Sequence, residues 1–290
     1  MAYKIGIMGP VNTGKSYSRR FIEKGENVFI LQPSMKASHL LRSAKEGEER
    51  KPIGPFNIKT NSFKSLKDAK TSLGAQTDTQ IIELWNRKLE PGKLKPENIL
   101  GNVQLVKDLN HLAIWLKFVD IHMPWINTVV LADFTHYISE VISDKAFIDR
   151  KHGGEAFQRF WELAGTALTS FITGIDNYRN DLIVVTEFHA DYDEKVNSFQ
   201  LYTPAGKMLT EKFKPESYYD VLLCTKAVVT ETADGIGDPK REYFFVTERT
   251  VDYPLARAMN IFDTTLIPNN LQIVLDKVRY NMGIPDVVYP

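Results

Sequence analysis

Apolar positions along this chain follow two rhythms, short unbroken runs and longer stripes at helical spacing. Ile5 and Ile7 alternate within Tyr3-Lys4-Ile5-Gly6-Ile7-Met8-Gly9 as a buried strand requires, and Asn27-Val28-Phe29-Ile30-Leu31 follows as a second strand. Asn127-Thr128-Val129-Val130-Leu131-Ala132-Asp133 and Asp181-Leu182-Ile183-Val184-Val185-Thr186-Glu187 are near-continuous apolar runs, the pattern of strands covered on both faces. Tyr218 to Thr230 and Glu242 to Val246 predict two late strands. Phe199-Gln200-Leu201-Tyr202 and Met208-Leu209 flank the turn Thr203-Pro204-Ala205-Gly206-Lys207 and predict a hairpin.

The helical stripes lie between these runs. Ser16 to Ile22 can open a helix after the first strand. With Asp108 as N-cap, Leu109, Leu112, Ala113, Leu116 and Val119 share a face. Phe157, Phe160, Trp161, Ala164, Leu168, Phe171 and Ile172 form an aromatic-rich core stripe over 155–172. A closing helix begins near Pro268-Asn269-Asn270 and carries Leu271, Val274, Leu275 and Val278.

Strand, helix, strand at the start is the βαβ unit of a parallel sheet, so the expected class is α/β. The charge run 43–52 reads as a solvated loop and 87–100 as an aperiodic surface segment, so 43–107 becomes an excursion within one domain spanning 1–290. The hairpin and late strands of 195–260 form a β-rich C-terminal extension.

The chemistry concentrates where the first strand ends. Gly9-Pro10-Val11-Asn12-Thr13-Gly14-Lys15-Ser16 fits G-x-x-x-x-G-K-[ST], the phosphate-binding P-loop, placed between a strand and a helix. Gly9 and Gly14 are expected to adopt torsions that let successive N–H groups point inward at phosphate oxygens. Gly9, Asn12, Thr13, Gly14, Lys15, Ser16 and Tyr17 are the nucleotide-binding candidates. Lys15 would reach the β- and γ-phosphates, and the Ser16 hydroxyl would ligate magnesium. In such a fold the strand ending in Asp133 occupies the Walker B position, making Asp133 the second metal candidate. Phe134 follows it, so the Asp-Glu pair of AAA-plus ATPases is absent. Ligands of open α/β sheets sit beyond the carboxyl ends of strands, which makes Thr186, Glu187 and His189 candidates to sense the γ-phosphate or position water. His111 and His122 have no partner at metal-ligand spacing and read as ordinary helix residues.

Bulk composition narrows the classes further. With 36 basic and 36 acidic side chains there is no global field to attract nucleic acid. The single cysteine, Cys224, lies in an apolar run, permits neither a disulfide framework nor a cysteine zinc site, and fits a reducing cytoplasm. No apolar stretch approaches the roughly 20 residues of a membrane helix. A soluble cytoplasmic chain without a membrane partner is expected.

The order of these elements resembles that of bacteriophage ATP-binding proteins with a RecA-type core, including the single-strand annealing ATPases of phage recombination modules. The features that carry it are the N-terminal P-loop, the run ending in Asp133, the strand before Thr186-Glu187-Phe188-His189, the Pro204-Ala205-Gly206-Lys207 turn and the closing Ile267-Pro268-Asn269-Asn270-Leu271. They span residues 3–281. The resemblance implies a RecA-like, mostly parallel sheet flanked by helices, with ATP and Mg2+ as cofactors. It implies an ATPase of phage DNA recombination, replication or repair in the host cytoplasm, with single-stranded DNA as partner and assembly into homo-oligomers. Lys15 and Ser16 carry over as phosphate and magnesium residues, and Asp133 as the Walker B carboxylate. RecA-type enzymes keep a water-activating glutamate near the end of the second strand, where this chain has Leu31-Gln32-Pro33-Ser34. Either Glu187 or another carboxylate substitutes, or hydrolysis is slow and the nucleotide acts as a switch.

Two other readings stay open. A P-loop kinase of a nucleotide or small metabolite would need a basic lid, for which Lys145, Arg150 and Lys151 are available. A non-hydrolysing, nucleotide-gated assembly protein would need no base at all. In an oligomer a neighbour's basic residue could complete the γ-phosphate site, with Lys207, Arg241, Arg249 and Arg257 as candidates.

Overall fold

Alternate residues of the central strands feed two separate hydrophobic layers. Phe29, Leu31, Val129, Leu131 and Val184 pack with Leu112, Leu116, Tyr137, Leu168 and Ile172 on one side. Ile5, Ile7, Val28, Ile30, Val130, Ile183 and Val185 pack with Leu271, Val274, Leu275 and Val278 on the other. Because strand side chains alternate with a period of two, a strand apolar at every position must be covered twice. This explains the unbroken runs of the sequence.

The computed structural model describes residues 1–22, 27–33, 103–106, 108–143, 155–202, 214–230 and 240–283. The charge run 43–52, the segment 87–100, the basic segment 145–152 and the turn 203–207 with Lys207 lie outside the described residues. The strands are β1 Tyr3–Gly9, β2 Val28–Gln32, β3 Val103–Leu105, β4 Thr128–Leu131 and β5 Ile183–Asp193, then β6 Ser198–Leu201, β7 Val221–Thr230, β8 Lys240–Val246 and β9 Leu266–Pro268. The helices are α1 Lys15–Ser18, α2 Leu109–His122, α3 Phe134–Ser143, α4 Glu155–Gly174 and α5 Leu271–Met282. The chain is α/β, with a mostly parallel sheet flanked by helices. Among the described residues no helix is long and apolar enough to cross a membrane.

The sheet runs in the order β3-β2-β4-β5-β1-β7-β8-β9, and β6 pairs with β5. From β3 to β7 all neighbours are parallel; β8 and β9 close one edge antiparallel. Strand β5 therefore stands between β1 and β4.

Local signals explain most boundaries. Asp108 caps α2, its Oδ1 accepting the His111 N–H at 2.9 Å. Asn270 caps α5 through the Gln272 N–H, and Gly283 at φ 64° ends it in the left-handed conformation. The α5 stripe predicted from Leu271, Val274, Leu275 and Val278 is fully buried. Each such aliphatic side chain contributes about 1.5–3 kcal/mol of burial. Of the stripe in 155–172, Trp161, Ala164, Leu168 and Ile172 are buried in the core.

Several elements differ from expectation, and helix α3 and strand β9 match no expected element. Val103–Leu105, inside the stretch expected to be an excursion, is an edge strand paired with Ile30–Gln32. Three residues are too short to carry a period, so only pairing with β2 reveals it. Ser198–Leu201 pairs back on Ala190–Asp193, because β5 continues past its parallel partners and offers that edge. The other expected hairpin arm, Met208-Leu209, lies outside the described residues. The helix expected over 16–22 is α-helical only over Lys15–Ser18 and becomes a 3-10 turn over Arg19–Phe21. There the Ser18 hydroxyl donates to the Lys15 carbonyl at 2.7 Å and the Ile22 N–H to the Arg19 carbonyl, an i to i−3 pattern that tightens the turn.

The last helix is tied to the sheet by polar contacts as well as apolar ones. Arg279 donates to Asn127 Oδ1 at 2.6 Å and to Thr128 Oγ1 at 2.7 Å, and both acceptor residues are buried. Replacing it by Arg279→Met should cost about 1–3 kcal/mol in urea unfolding, since buried acceptors lose their donor. An unchanged midpoint would show that the contact is dispensable. Cys224 is fully buried, and burial pushes its thiol up to about 12. An unfolded thiol ionises near about 8.5, so above that pH the unfolded chain loses a proton the folded chain keeps, and this group's contribution to stability falls as pH rises. At neutral pH a thiol reagent should label Cys224 only after denaturation; rapid labelling of the folded chain would contradict its burial.

Candidate functional site

Parallel pairing carries four strand ends to one edge of the sheet. Ile7 lies opposite Glu187 and Gly9 opposite His189, while Leu131 lies opposite both Leu31 and Thr186. The carboxyl ends of β1, β2, β4 and β5 consequently open on one cleft. Its walls include Lys15, Ser16, Arg19, Gln32, Asp133, Glu187 and His189. The ligand position general to open α/β sheets is thus filled here by polar side chains.

The loop from Gly9 to Ser16 forms one wall. Asn12 at φ 63° and Gly14 at φ 103° are both left-handed. The expectation of a special torsion holds for Gly14 but not for Gly9, which ends strand β1 without a positive φ; Asn12 supplies the second left-handed position. What demands glycine at position 9 is space. A Cβ there would lie 1.8 Å from Thr225 Oγ1 and 2.9 Å from Thr13 Oγ1. At Gly14 a Cβ would also press on the Tyr243 ring, 2.9 Å from Cδ1.

These contacts hold the loop from beneath and from the β7 side. The Thr13 hydroxyl donates to the Pro10 carbonyl at 2.7 Å, so the Thr225 hydroxyl donates to Thr13 at 2.5 Å. The Lys15 ammonium donates to the Pro10 carbonyl at 2.7 Å and to the Gly9 carbonyl. A positive charge therefore sits over the loop. Ser16 and Tyr17 are exposed, and the Tyr17 ring lies against Tyr243 with centroids 4.9 Å apart.

Asp133 forms the opposing wall. It turns the chain from β4 into α3 with φ 53°, a left-handed conformation that aspartate tolerates better than most residues. Its Oδ1 lies 3.0 Å from His189 Nε2. Thr135, the second residue of α3, accepts the His189 backbone N–H at 2.8 Å and ties the start of α3 to β5. Phe134 points away from the cleft into the core, stacked on Phe171 at 5.5 Å and edge-on to Phe188 at 5.5 Å. The position after Asp133 thus offers no base.

Glu187 is both in the cleft wall and in the core of its electrostatics. Its Oε1 lies 3.0 Å from Arg19 Nε, with the two side chains 4% and 3% exposed. Removing either partner of such a pair strands a buried charge. Glu187 is therefore committed to Arg19 in this structure. Gln32 ends β2, buried to 2% exposure, at the edge of the same cleft. An amide there cannot accept a proton.

The sequence marks Gln32 only as part of the stretch that lacks a glutamate and does not single out Arg19, although signals existed. Arg19 stands four residues after Lys15, and Gln32 closes an apolar strand as Asp133 does. The cleft's charged walls balance: Lys15 and Arg19 are cationic, Asp133 and Glu187 anionic. Of the other basic candidates, Arg241 and Arg249 are exposed and away from the cleft wall, and Arg257 donates to the Tyr219 carbonyl. His111 pairs with Asp108 at 2.6 Å and His122 packs on Phe118 at 4.9 Å. Among the described residues no three His, Cys, Asp or Glu side chains cluster as a metal site.

No protein-family model and no curated protein sequence matches this chain.

The packing of Gly9 on Thr225 makes a sharp prediction. Gly9→Ala should destabilise the chain by about 1–3 kcal/mol through overpacking, and Gly9→Ala/Thr225→Ala should recover part of it. Strictly additive losses in urea unfolding would mean that the two residues do not clash.

Proposed function

We propose that this chain is a Mg2+-dependent ATP-binding and slowly ATP-hydrolysing protein built on a P-loop and a RecA-type core. The observation that carries the reading is convergence. Lys15 and Ser16 of the glycine loop share one cleft with Asp133, which lies far away in the sequence and reaches them only through the sheet. A triphosphate on the loop would be met by the N–H groups around Asn12 to Ser16 and by the Lys15 ammonium. Magnesium fits the donor set: it keeps several waters and needs only one or two carboxylates beside phosphate oxygens, and the Ser16 hydroxyl and Asp133 carboxylate supply protein oxygens. The balanced charge of the walls favours such a metal, since an uncompensated triphosphate would add only negative charge. When bound, the ion would neutralise charge on the β- and γ-phosphates.

The missing base sets the rate. Gln32 stands where a RecA-type enzyme would hold its glutamate, Phe134 faces the core, and Glu187 is paired with Arg19. These observations favour slow hydrolysis, and equally a second reading in which bound ATP acts as a switch for assembly. The partner proposed from the resemblance is single-stranded DNA in recombination, replication or repair of phage DNA, contacted by a homo-oligomer.

ATP hydrolysis measured with and without single-stranded DNA across a salt series tests the proposal. Wild type should release phosphate slowly, faster with DNA, and lose that stimulation steeply as salt rises. Lys15→Ala should lower the rate by about 10²–10³-fold, the usual loss on removing one group that stabilises developing charge. Equal rates for wild type and Lys15→Ala would reject the proposal. Tight ATP binding without phosphate release under any condition would select the switch.

A further inference from the structure

We infer that Tyr17, Arg20 and Tyr243 form a stacking platform for the purine base of the nucleotide, which extends the proposed triphosphate site and rests on that reading. Strand β1 is flanked by β5 on one side and β7 on the other. Lys15, Ser16 and Asp133 all line the cleft beside Glu187 and His189 of β5, and these are the residues that would hold a metal-bound terminal phosphate. A triphosphate chain lying across the loop then carries its nucleoside the opposite way, over β7 and β8.

That side holds a row of flat groups. Tyr243 of β8 packs on the loop itself, its Cβ, Cγ and Cδ1 all within 3.2 Å of where a Gly14 Cβ would stand. Tyr17 leans on Tyr243 with centroids 4.9 Å apart and planes at 42°. The Arg20 guanidinium covers Tyr17 at 3.4 Å from the ring centroid and reaches Phe21 at 4.5 Å. Tyr17 is 37% exposed and Phe21 42% exposed, and Arg20 is exposed.

Tyr17 and Phe21 keep part of their surface open although Tyr17 packs on Tyr243, whereas Phe134 and Phe188 are fully buried. An arginine over an aromatic ring presents a second planar face, and nucleobases stack on both kinds of surface. The row therefore offers a base a continuous π and guanidinium surface whose foundation, Tyr243 on Gly14, belongs to the phosphate loop. Base and phosphate are thus read by one rigid unit, and the purine, with the larger face, gains most from it.

Calorimetric titration of MgATP and of magnesium tripolyphosphate into the full chain separates the platform from the loop. Wild type should bind both ligands, ATP more tightly. Tyr17→Ala should weaken ATP about tenfold, as loss of one base–aromatic stack does, and tripolyphosphate far less. Tyr17→Leu keeps an apolar contact with Tyr243 but no flat ring, so it should repeat the loss even where the alanine variant folds poorly. Tyr17→Phe should keep wild-type affinity. Equal losses for both ligands, no loss for either, or wild type binding tripolyphosphate as tightly as ATP would overturn the platform. Wild type binding neither ligand would instead reject the triphosphate site on which it rests.

Discussion

The parallel register between β1 and β5 is the constraint on which the cleft depends. With Ile7 opposite Glu187 and Gly9 opposite His189, the glycine loop begins at the level where β5 turns polar. A slip of one residue would reverse every side chain of β1 between the two layers, taking Ile5 and Ile7 out of contact with α5. Burial of apolar surface on both faces thus fixes the register, and the register fixes which polar groups meet. The cleft is a by-product of the core's demands, placed where the apolar runs stop.

The same economy appears in the loop's supports. Thr225 of β7 and Tyr243 of β8 press on Gly9 and Gly14, so the two motif glycines answer to strands that arrive late in the chain. Gly14 is needed for its left-handed torsion and for the approach of Tyr243; Gly9 is needed for space alone. If the loop binds phosphate as proposed, supports of this kind would limit its reorganisation on binding.

The polar residues of the cleft are themselves held in pairs. Arg19 and Glu187 neutralise each other beneath Ser16 and Lys15, and His189 steadies Asp133 across the gap. The buried pair links the first turn after the loop to β5, so a displacement of the loop is felt at the strand between it and Asp133.

Much of this was legible in the chain of residues. The unbroken apolar runs announced strands covered twice, Asp108 and Asn270 marked helix starts, and the spacing of Gly9 and Gly14 marked the turn between β1 and α1 with no help from anything distant. These signals are local: they depend on the period of a strand or helix and on the torsion or cap of a single residue. The strand Val103–Leu105, the return of Ser198–Leu201 onto β5 and the Arg19–Glu187 pair were not legible, because each exists only through a partner remote in sequence. The sequence by itself determined most of the buried strands and the capped helices. Tertiary structure alone decided that Glu187 is bound to Arg19, that Phe134 turns into the core and that Gln32 reaches the cleft, since pairing register and burial select partners that no spacing along the chain can specify.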